Sequence, residues 1–335
     1  MPKVVSILPA ARFKTAKVAL PAGWDFTFLD RHGEEDIISA CRGADFLLVP
    51  AAYPPITARV LENIPSVRLV QSSGAGFDQI DTAAAARLDI PVANSPGQNA
   101  ATVAEFTIGL LIVLQRRVLF ADREIKKGNY RQTRENLLAK GLPEIRGARL
   151  GLVGCGLIGR EVAKIAGFMG AEISYYDPVR LPKEAEAELR LNFLPLDELL
   201  AASEAISLHV PLNEQTRGLI GRREFNLMAP GTLLINTARG EVVDQAALAE
   251  ALESGRLGGA AIDTLAPEPP SPEHPLLNLT EEASARLVLT PHLAGVTAGA
   301  FGRLLRGALA NLERTAAGEP PQHVVNGVSK ARFPR

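Results

Sequence analysis

Short apolar runs alternate with stretches of helical periodicity along most of the chain. In the first third, residues 4–8, 25–29, 46–49 and 67–70 have the aliphatic and aromatic density of strands, and residues 34–41, 57–63 and 81–88 between them read as helices. A long helical pattern follows over 102–127 and stops at Gly128-Asn129, a good C-terminal signal. A second series opens at 149–153 and continues with strands at 172–176, 205–210, 233–236, 259–262 and 287–289. The Pro-rich stretch 267–275 interrupts it as a loop, because strand pattern resumes beyond it, and a last helix is expected over 297–316, ending at Gly318. Strand-helix alternation implies parallel pairing with helices on both faces of the sheet. The pattern therefore predicts an α/β chain built on parallel sheets.

Composition narrows the setting. With 335 residues, 47% of them apolar and 22% charged, the chain can form two well-cored domains of ordinary size. Its net charge of −1, without a long basic run, argues against non-specific binding of nucleic acid through phosphates. Cys41 and Cys155 are too few and too far apart for a disulfide framework or a zinc site, so no metal is expected. The first residues hold too short an apolar run for a signal peptide, and the most apolar stretch, 106–114, runs into Gln115-Arg116-Arg117 and is too short for a bilayer. A cytoplasmic protein with no membrane partner is expected.

Candidate chemistry collects where the apolar runs of the second series stop. Arg239 closes Asn236-Thr237-Ala238-Arg239-Gly240, Glu268 follows Asp263-Thr264-Leu265-Ala266-Pro267, and His292 ends Thr290-Pro291-His292. In an open parallel sheet, the carboxyl ends of the strands are where ligands bind. Histidine suits proton transfer at neutral pH, a carboxylate beside it holds the ring, and an arginine grips a substrate carboxylate with two hydrogen bonds. Each of the three alone reads better as an ordinary loop or turn residue; the joint placement favours function. Hydride transfer to or from an alcohol carbon needs this set.

A place for a dinucleotide lies upstream. Gly154-Cys155-Gly156-Leu157-Ile158-Gly159 follows an apolar strand and leads into a helical pattern, the order in which glycines allow a tight turn and a helix N-terminus faces a pyrophosphate. The next strand ends at Asp177, near the offset of about twenty residues expected for a ribose-binding acid. Its alternative is a turn former before Pro178. A carboxylate there favours NAD over NADP, although Arg180 close by weakens the preference. Asp263, at the end of its own strand, is a candidate for a polar role beside the nicotinamide. His209 reads as structural or near the cofactor, and His32, His274 and His323 as exposed. In the first part of the chain, Ser72-Ser73-Gly74-Ala75-Gly76-Phe77-Asp78 follows a strand and is either an anion-binding nest or a plain tight turn.

Together these motifs resemble one family closely, the NAD-dependent D-2-hydroxyacid dehydrogenases. The resemblance also rests on Asn94 to Ala100, Val103-Ala104-Glu105, His209-Val210-Pro211-Leu212 and Thr216 to Ile220, and covers nearly the whole chain. It implies two doubly wound domains: a discontinuous, flavodoxin-like substrate domain over 1–98 and 296–335, and a Rossmann-type NAD-binding domain over 99–295. It implies Arg239, Glu268 and His292 as the catalytic set. Leu157, Ile158, Val210, Pro211, Thr216, Thr237, Ala238, Asp263 and His292 would line the cofactor site. Backbone N–H groups of the Gly74-Ala75-Gly76 loop would hold the substrate carboxylate, with Tyr53 nearby. Family members are usually homodimers joined through their nucleotide domains.

Some positions depart from the family. Ala51-Ala52-Tyr53 stands where phosphoglycerate dehydrogenases usually carry an Arg-Ser or similar pair, which points to a small unphosphorylated 2-oxo or D-2-hydroxy acid. Ala266 replaces a common acid, Asn129-Tyr130 a frequent tryptophan, and 281–284 looks like a loop insertion. Two other readings stand beside the dehydrogenase: an NADH-sensing, corepressor-like binding protein, and a 3-phosphoglycerate dehydrogenase within the same family.

Overall fold

A computed structural model describes residues 1–51 and 53–329. Its contacts divide the chain into two units, Met1–Asn99 with Val296–Arg335, and Ala100–Gly295. The first unit begins with β1 (Lys3–Ser6), α1 (Ala10–Thr15), β2 (Asp25–Phe28), α2 (Glu34–Ala40) and β3 (Phe46–Val49). It continues with α3 (Ala58–Glu62), β4 (Leu69–Ser72), α4 (Thr82–Arg87) and β5 (Val92–Ala93). All its strand pairs are parallel, in the order β2-β1-β3-β4-β5, the doubly wound order of flavodoxin-like sheets. Apolar clusters cover both faces, one containing Leu47, Val49 and Val70 and the other Phe46, Leu48 and Leu69. Buried on both sides, these strands read as continuous apolar runs. The helix Ala298–Ala316 returns to this unit, capped by the Thr297 hydroxyl, and lays Leu305, Leu309 and Leu312 into the second cluster.

The second unit opens with α5 (Ala100–Gln115), α6 (Val118–Lys126) and α7 (Tyr130–Lys140). Then come β6 (Arg149–Val153), α8 (Leu157–Phe168), β7 (Glu172–Tyr176), α9 (Lys183–Leu189), β8 (Leu191–Phe193), α10 (Leu196–Ala202) and β9 (Ala205–Leu208). It closes with α11 (Arg222–Leu227), β10 (Leu233–Asn236), α12 (Gln245–Glu253), β11 (Gly259–Ile262), α13 (Glu281–Ser284) and β12 (Leu287–Leu289). The parallel sheet runs β12-β11-β10-β9-β6-β7-β8. The strand order reverses between β6 and β9, which opens a crevice at their carboxyl ends, the position of dinucleotides in Rossmann folds. Both sheets agree with the α/β pattern of the sequence. Among the described residues no helix is long and apolar enough to cross a membrane.

Several elements differ from the sequence reading. The helix expected over 102–127 is two helices, broken at Arg117, whose φ of 50° is left-handed and whose guanidinium lies over the Phe120 ring. The break separates two environments: α5 is buried along most of its length, whereas α6 buries no residue. Two strands escaped the pattern, β5 with two residues and β8 with three, because a period of two needs a longer run to show. Helices α1 and α7 were also missed, the latter being the polar stretch Tyr130–Lys140. The expected loop insertion at 281–284 is a helical turn capped by the Thr280 hydroxyl. Of the departures noted in sequence, Ala52 lies outside the described residues, as does the end of the chain from Lys330.

Candidate active site

In the second unit, the crevice between β6 and β9 is floored by glycine. Gly154 has φ of +94°, and a Cβ there would stand 2.8 Å from the His209 carbonyl carbon and oxygen; a Cβ on Gly159 would collide with the Gly154 carbonyl. Only glycine fits either position, and the backbone thus reaches the N-terminus of α8, which Gly156 caps. A cradle that any side chain would fill, opening onto the N-terminus of a 12-residue helix, fits a pyrophosphate. Asp177, at the tip of β7, is held by two backbone donors, Cys155 N–H at 2.9 Å on one oxygen and Val179 N–H at 3.0 Å on the other. Its carboxylate is therefore fixed beside the glycine loop with lone pairs left for hydroxyl donors.

Arg180 does not compete for that place. Its guanidinium binds both oxygens of Glu186, at 2.8 and 3.0 Å, and lies over the Phe193 ring. Arg180 and the Tyr175 hydroxyl together hold the Glu186 carboxyl down to about 2. On the β9 side, the His209 ring bonds Ser207 Oγ at 2.9 Å, and burial pushes its pKa down to about 3, so it stays neutral. Val210 is buried, and Thr216 ties its loop shut by donating to the Pro211 carbonyl at 2.6 Å and accepting from Asn213 N–H. The buried Thr237 hydroxyl pairs with Thr107 of α5 at 3.0 Å.

The adjacent carboxyl ends of β10, β11 and β12 bring Arg239, Glu268 and His292 to one edge, since Asn236 pairs with Ile262 and Ile262 with Leu289. Each is set by another residue. The buried Asn236 shapes the Arg239 turn by accepting from Ala238 N–H and donating to the Arg239 carbonyl. Gly240 permits that turn to lie against Leu265 and Ala266, whose backbone a Cβ would strike. Glu268 accepts from Leu265 N–H at 3.1 Å with Oε1 and meets His292 Nδ1 at 2.9 Å with Oε2. That bond leaves Nε2 as the ring nitrogen available to a ligand, and both side chains are about one-third exposed, at 36% and 34%.

Asp263, the candidate for a polar role beside the nicotinamide, also holds a neighbouring loop. It is 1% exposed, and its oxygens accept from Thr290 Oγ1 at 2.6 Å, Leu293 N–H at 2.8 Å and Ala294 N–H at 2.9 Å. With His292 N–H also donating to the Asp263 carbonyl at 2.7 Å, this residue fixes the loop on which His292 stands at a φ of 54°. Neither Asn236 nor Asp263 could be given this role from sequence, because their partners lie in turns whose course only the fold sets. His274 corrects the expectation of exposure: it is 5% exposed, seated under the Glu268 loop, while His32 is half-buried and His323 exposed.

The glycine loop of the first unit has the features of a nest. Its carbonyls are drawn inward: Gly74 O accepts from Ser95 N–H, Ala75 O from Asn94 Nδ2, and Gly76 O from Ser72 Oγ. Among the described residues no backbone partner takes the N–H groups of Ala75 or Gly76. Gly74 is required because a Cβ would stand 2.7 Å from that of Ala51. Tyr53 is exposed, with its ring edge-on to His32.

Comparison with known proteins gives the family. Residues 108–294 match the family described as D-isomer specific 2-hydroxyacid dehydrogenase, NAD binding domain. The chain is 38% identical over 288 residues to a glyoxylate reductase of Korarchaeum cryptofilum, spanning 86% of this chain and 85% of the relative. It is 35% identical over 282 residues to a D-3-phosphoglycerate dehydrogenase of Archaeoglobus fulgidus, spanning 83% of this chain and 51% of that longer protein. The holo form of D-mandelate dehydrogenase from Rhodotorula graminis superposes with a TM-score of 0.85 at 25% identity, covering 100% of this chain and 99% of that one.

Proposed function

The chain belongs to the D-isomer-specific 2-hydroxyacid dehydrogenases, NAD-dependent oxidoreductases, and from that premise we propose that it reduces a small, unphosphorylated 2-oxo acid such as glyoxylate or hydroxypyruvate to the D-2-hydroxy acid. The observation that carries the reading is the 2.9 Å Glu268–His292 pair beside Arg239 at one sheet edge. Bound NADH supplies a hydride. Gly154, Gly156 and Gly159 with the N-terminus of α8 hold its pyrophosphate, and Asp177 the adenosine ribose. Leu157, Ile158, Val210, Pro211, Thr216, Thr237 and Ala238 line its cleft. Asp263 serves by holding the His292 loop.

Arg239 grips the substrate carboxylate and polarises its carbonyl. His292 gives the Nε2 proton to the carbonyl oxygen as C2 is reduced, and Glu268 faces the ring through Nδ1, fixing its orientation. In the first unit, the Gly74-Ala75-Gly76 loop is a candidate nest for a substrate carboxylate, since among the described residues no backbone partner takes the N–H groups of Ala75 or Gly76. A phosphate would need a cation, since a buried dianion without one loses more hydration than neutral groups return. The residues from Ala51 to Pro55 offer none, and Tyr53 suits a short neutral substituent.

Competing hydroxypyruvate against 3-phosphohydroxypyruvate in an NADH-consumption assay tests this, with the unphosphorylated acid expected to have the higher kcat/KM. The reverse order would defeat the substrate reading and direct attention to Arg131 or Arg134. NADH consumption with no member of a 2-oxo acid panel would favour the NADH-sensing alternative.

The protein acts as a cytoplasmic homodimer in this reading. Free, buried thiols at Cys41 and Cys155 suit a reducing compartment. The second unit exposes Val118, Leu119, Ile125, Tyr130 and Leu138 around α6 and α7, an apolar face of the kind that subunits cover. Sedimentation is expected to give twice the chain mass, and Leu119→Arg to lower it; a monomeric parent protein would remove the dimer.

A further inference from the structure

We propose that His274 is a positioning residue for the proton-transfer pair, acting on Glu268 through the carbonyl of Ala266. The inference rests on the reading of Glu268 and His292 as that pair. His274 Nδ1 accepts from Leu276 N–H at 3.3 Å, and Nε2 lies 3.2 Å from the Ala266 oxygen. An acceptor at Nδ1 leaves the ring proton on Nε2, so the neutral ring donates to Ala266. The ring has no freedom to do otherwise. It is 5% exposed, and its backbone is pinned on both sides: His274 N–H donates to the Ser271 carbonyl, and Asn278 Nδ2 donates to the His274 carbonyl at 3.0 Å. The next residues, Pro275–Leu277, form a 3-10 turn that buries Leu276 in the core.

What His274 holds is a backbone segment that touches both Glu268 and the Arg239 turn. Leu265 N–H binds Glu268 Oε1, the Leu265–Ala266 peptide is the surface against which Gly240 packs beside Arg239, and Glu268 reaches His292 two residues further on. Gly240 closes one side of this peptide by contact, and His274 fixes the carbonyl that follows it, that of Ala266, by a hydrogen bond. Without that bond the loop bearing Glu268 is free to drift, and a displacement of about 1 Å at a catalytic group costs up to about 10²-fold in rate.

The two ring nitrogens have separable jobs, which makes the proposal testable. Asparagine mimics Nδ1: His274→Asn keeps an acceptor for Leu276 N–H and the cap of the turn, but does not reach Ala266. Glutamine mimics Nε2: His274→Gln keeps a donor for Ala266 and gives up the cap. Steady-state kinetics on both, with Tm and NADH affinity, are compared with Glu268→Gln and His292→Ala. The expected result is a kcat lowered about 10-fold or more in the Asn variant, at near-normal Tm and unchanged NADH affinity. The Gln variant is expected to keep kcat within about threefold while its Tm falls. Wild-type kcat in His274→Asn, or equal kcat losses in the two variants, would overturn the positioning role in favour of packing alone. If the Asn variant does not fold, the Gln variant decides, and a kcat below about a tenth of the parent's counts against the proposal. Should Glu268→Gln and His292→Ala retain full turnover, the proton-pair reading itself fails, an outcome distinct from a silent His274.

Discussion

The two halves of the larger sheet's carboxyl edge solve different problems. At β6 and β7 the proposed cofactor surface is mostly backbone: glycines that exclude side chains, a helix N-terminus, and one carboxylate held by two N–H groups. At β10, β11 and β12 it is side chain, and every chemical group has a second residue behind it: Asn236 for the Arg239 turn, Leu265 N–H for Glu268, Asp263 for the His292 loop. A pyrophosphate tolerates any array of donors at the right radius. Proton transfer needs one atom in one direction, and a side chain with free rotamers cannot supply that unaided. The difference teaches that binding can be written into local backbone shape, whereas chemistry draws support from across the fold.

The comparison breaks first at His292. His292→Ala is expected to lower kcat about 10²- to 10⁴-fold with NADH affinity nearly intact. Stopped-flow turnover beside fluorescence titration of NADH decides, and a variant that turns over normally, or one that loses NADH with its activity, would erase the division of labour. Gly154→Ala probes the other half. A Cβ 2.8 Å from the His209 backbone, at φ of +94°, carries about 1–3 kcal/mol of strain, so NADH affinity is expected to fall about 10- to 100-fold, with no separate loss of kcat at saturating cofactor. Titration checks the first part and saturation kinetics the second. Asp177→Ala sharpens the picture within the binding half. Losing a charged acceptor for the ribose hydroxyls is expected to reduce the preference for NADH over NADPH about 10-fold. Arg180→Ala, in contrast, leaves the ratio of the two kcat/KM values unchanged, because that guanidinium already belongs to Glu186. A collapse of the ratio in the Arg180 variant would reassign it to the cofactor.

The parallel sheets were legible because buried strands and amphipathic helices announce themselves locally, and so were the glycine loop, Asp177 and the three residues at strand ends, since a polar residue closing an apolar run needs no knowledge of distant chain. The shortest strands, Val92–Ala93 and Leu191–Phe193, were not, because pairing rather than periodicity makes them strands. Nor was the break at Arg117, where a continuous helical pattern passes from a buried to an exposed setting. His274 stood in a Pro-rich stretch that reads as solvent, yet burial of Leu276 draws it beneath the Glu268 loop.

Sequence by itself determined which residue types stand at the ends of which strands, and hence the fold class and the candidate chemistry. Tertiary structure alone decided what holds them. Asp263 and Ala294 are 31 positions apart, and Leu276, His274 and Ala266 meet only because the chain doubles back under its own loop. Hydrogen-bond partners of this kind are set by the path of the backbone in space, and the order of residues along the chain carries no direct trace of it.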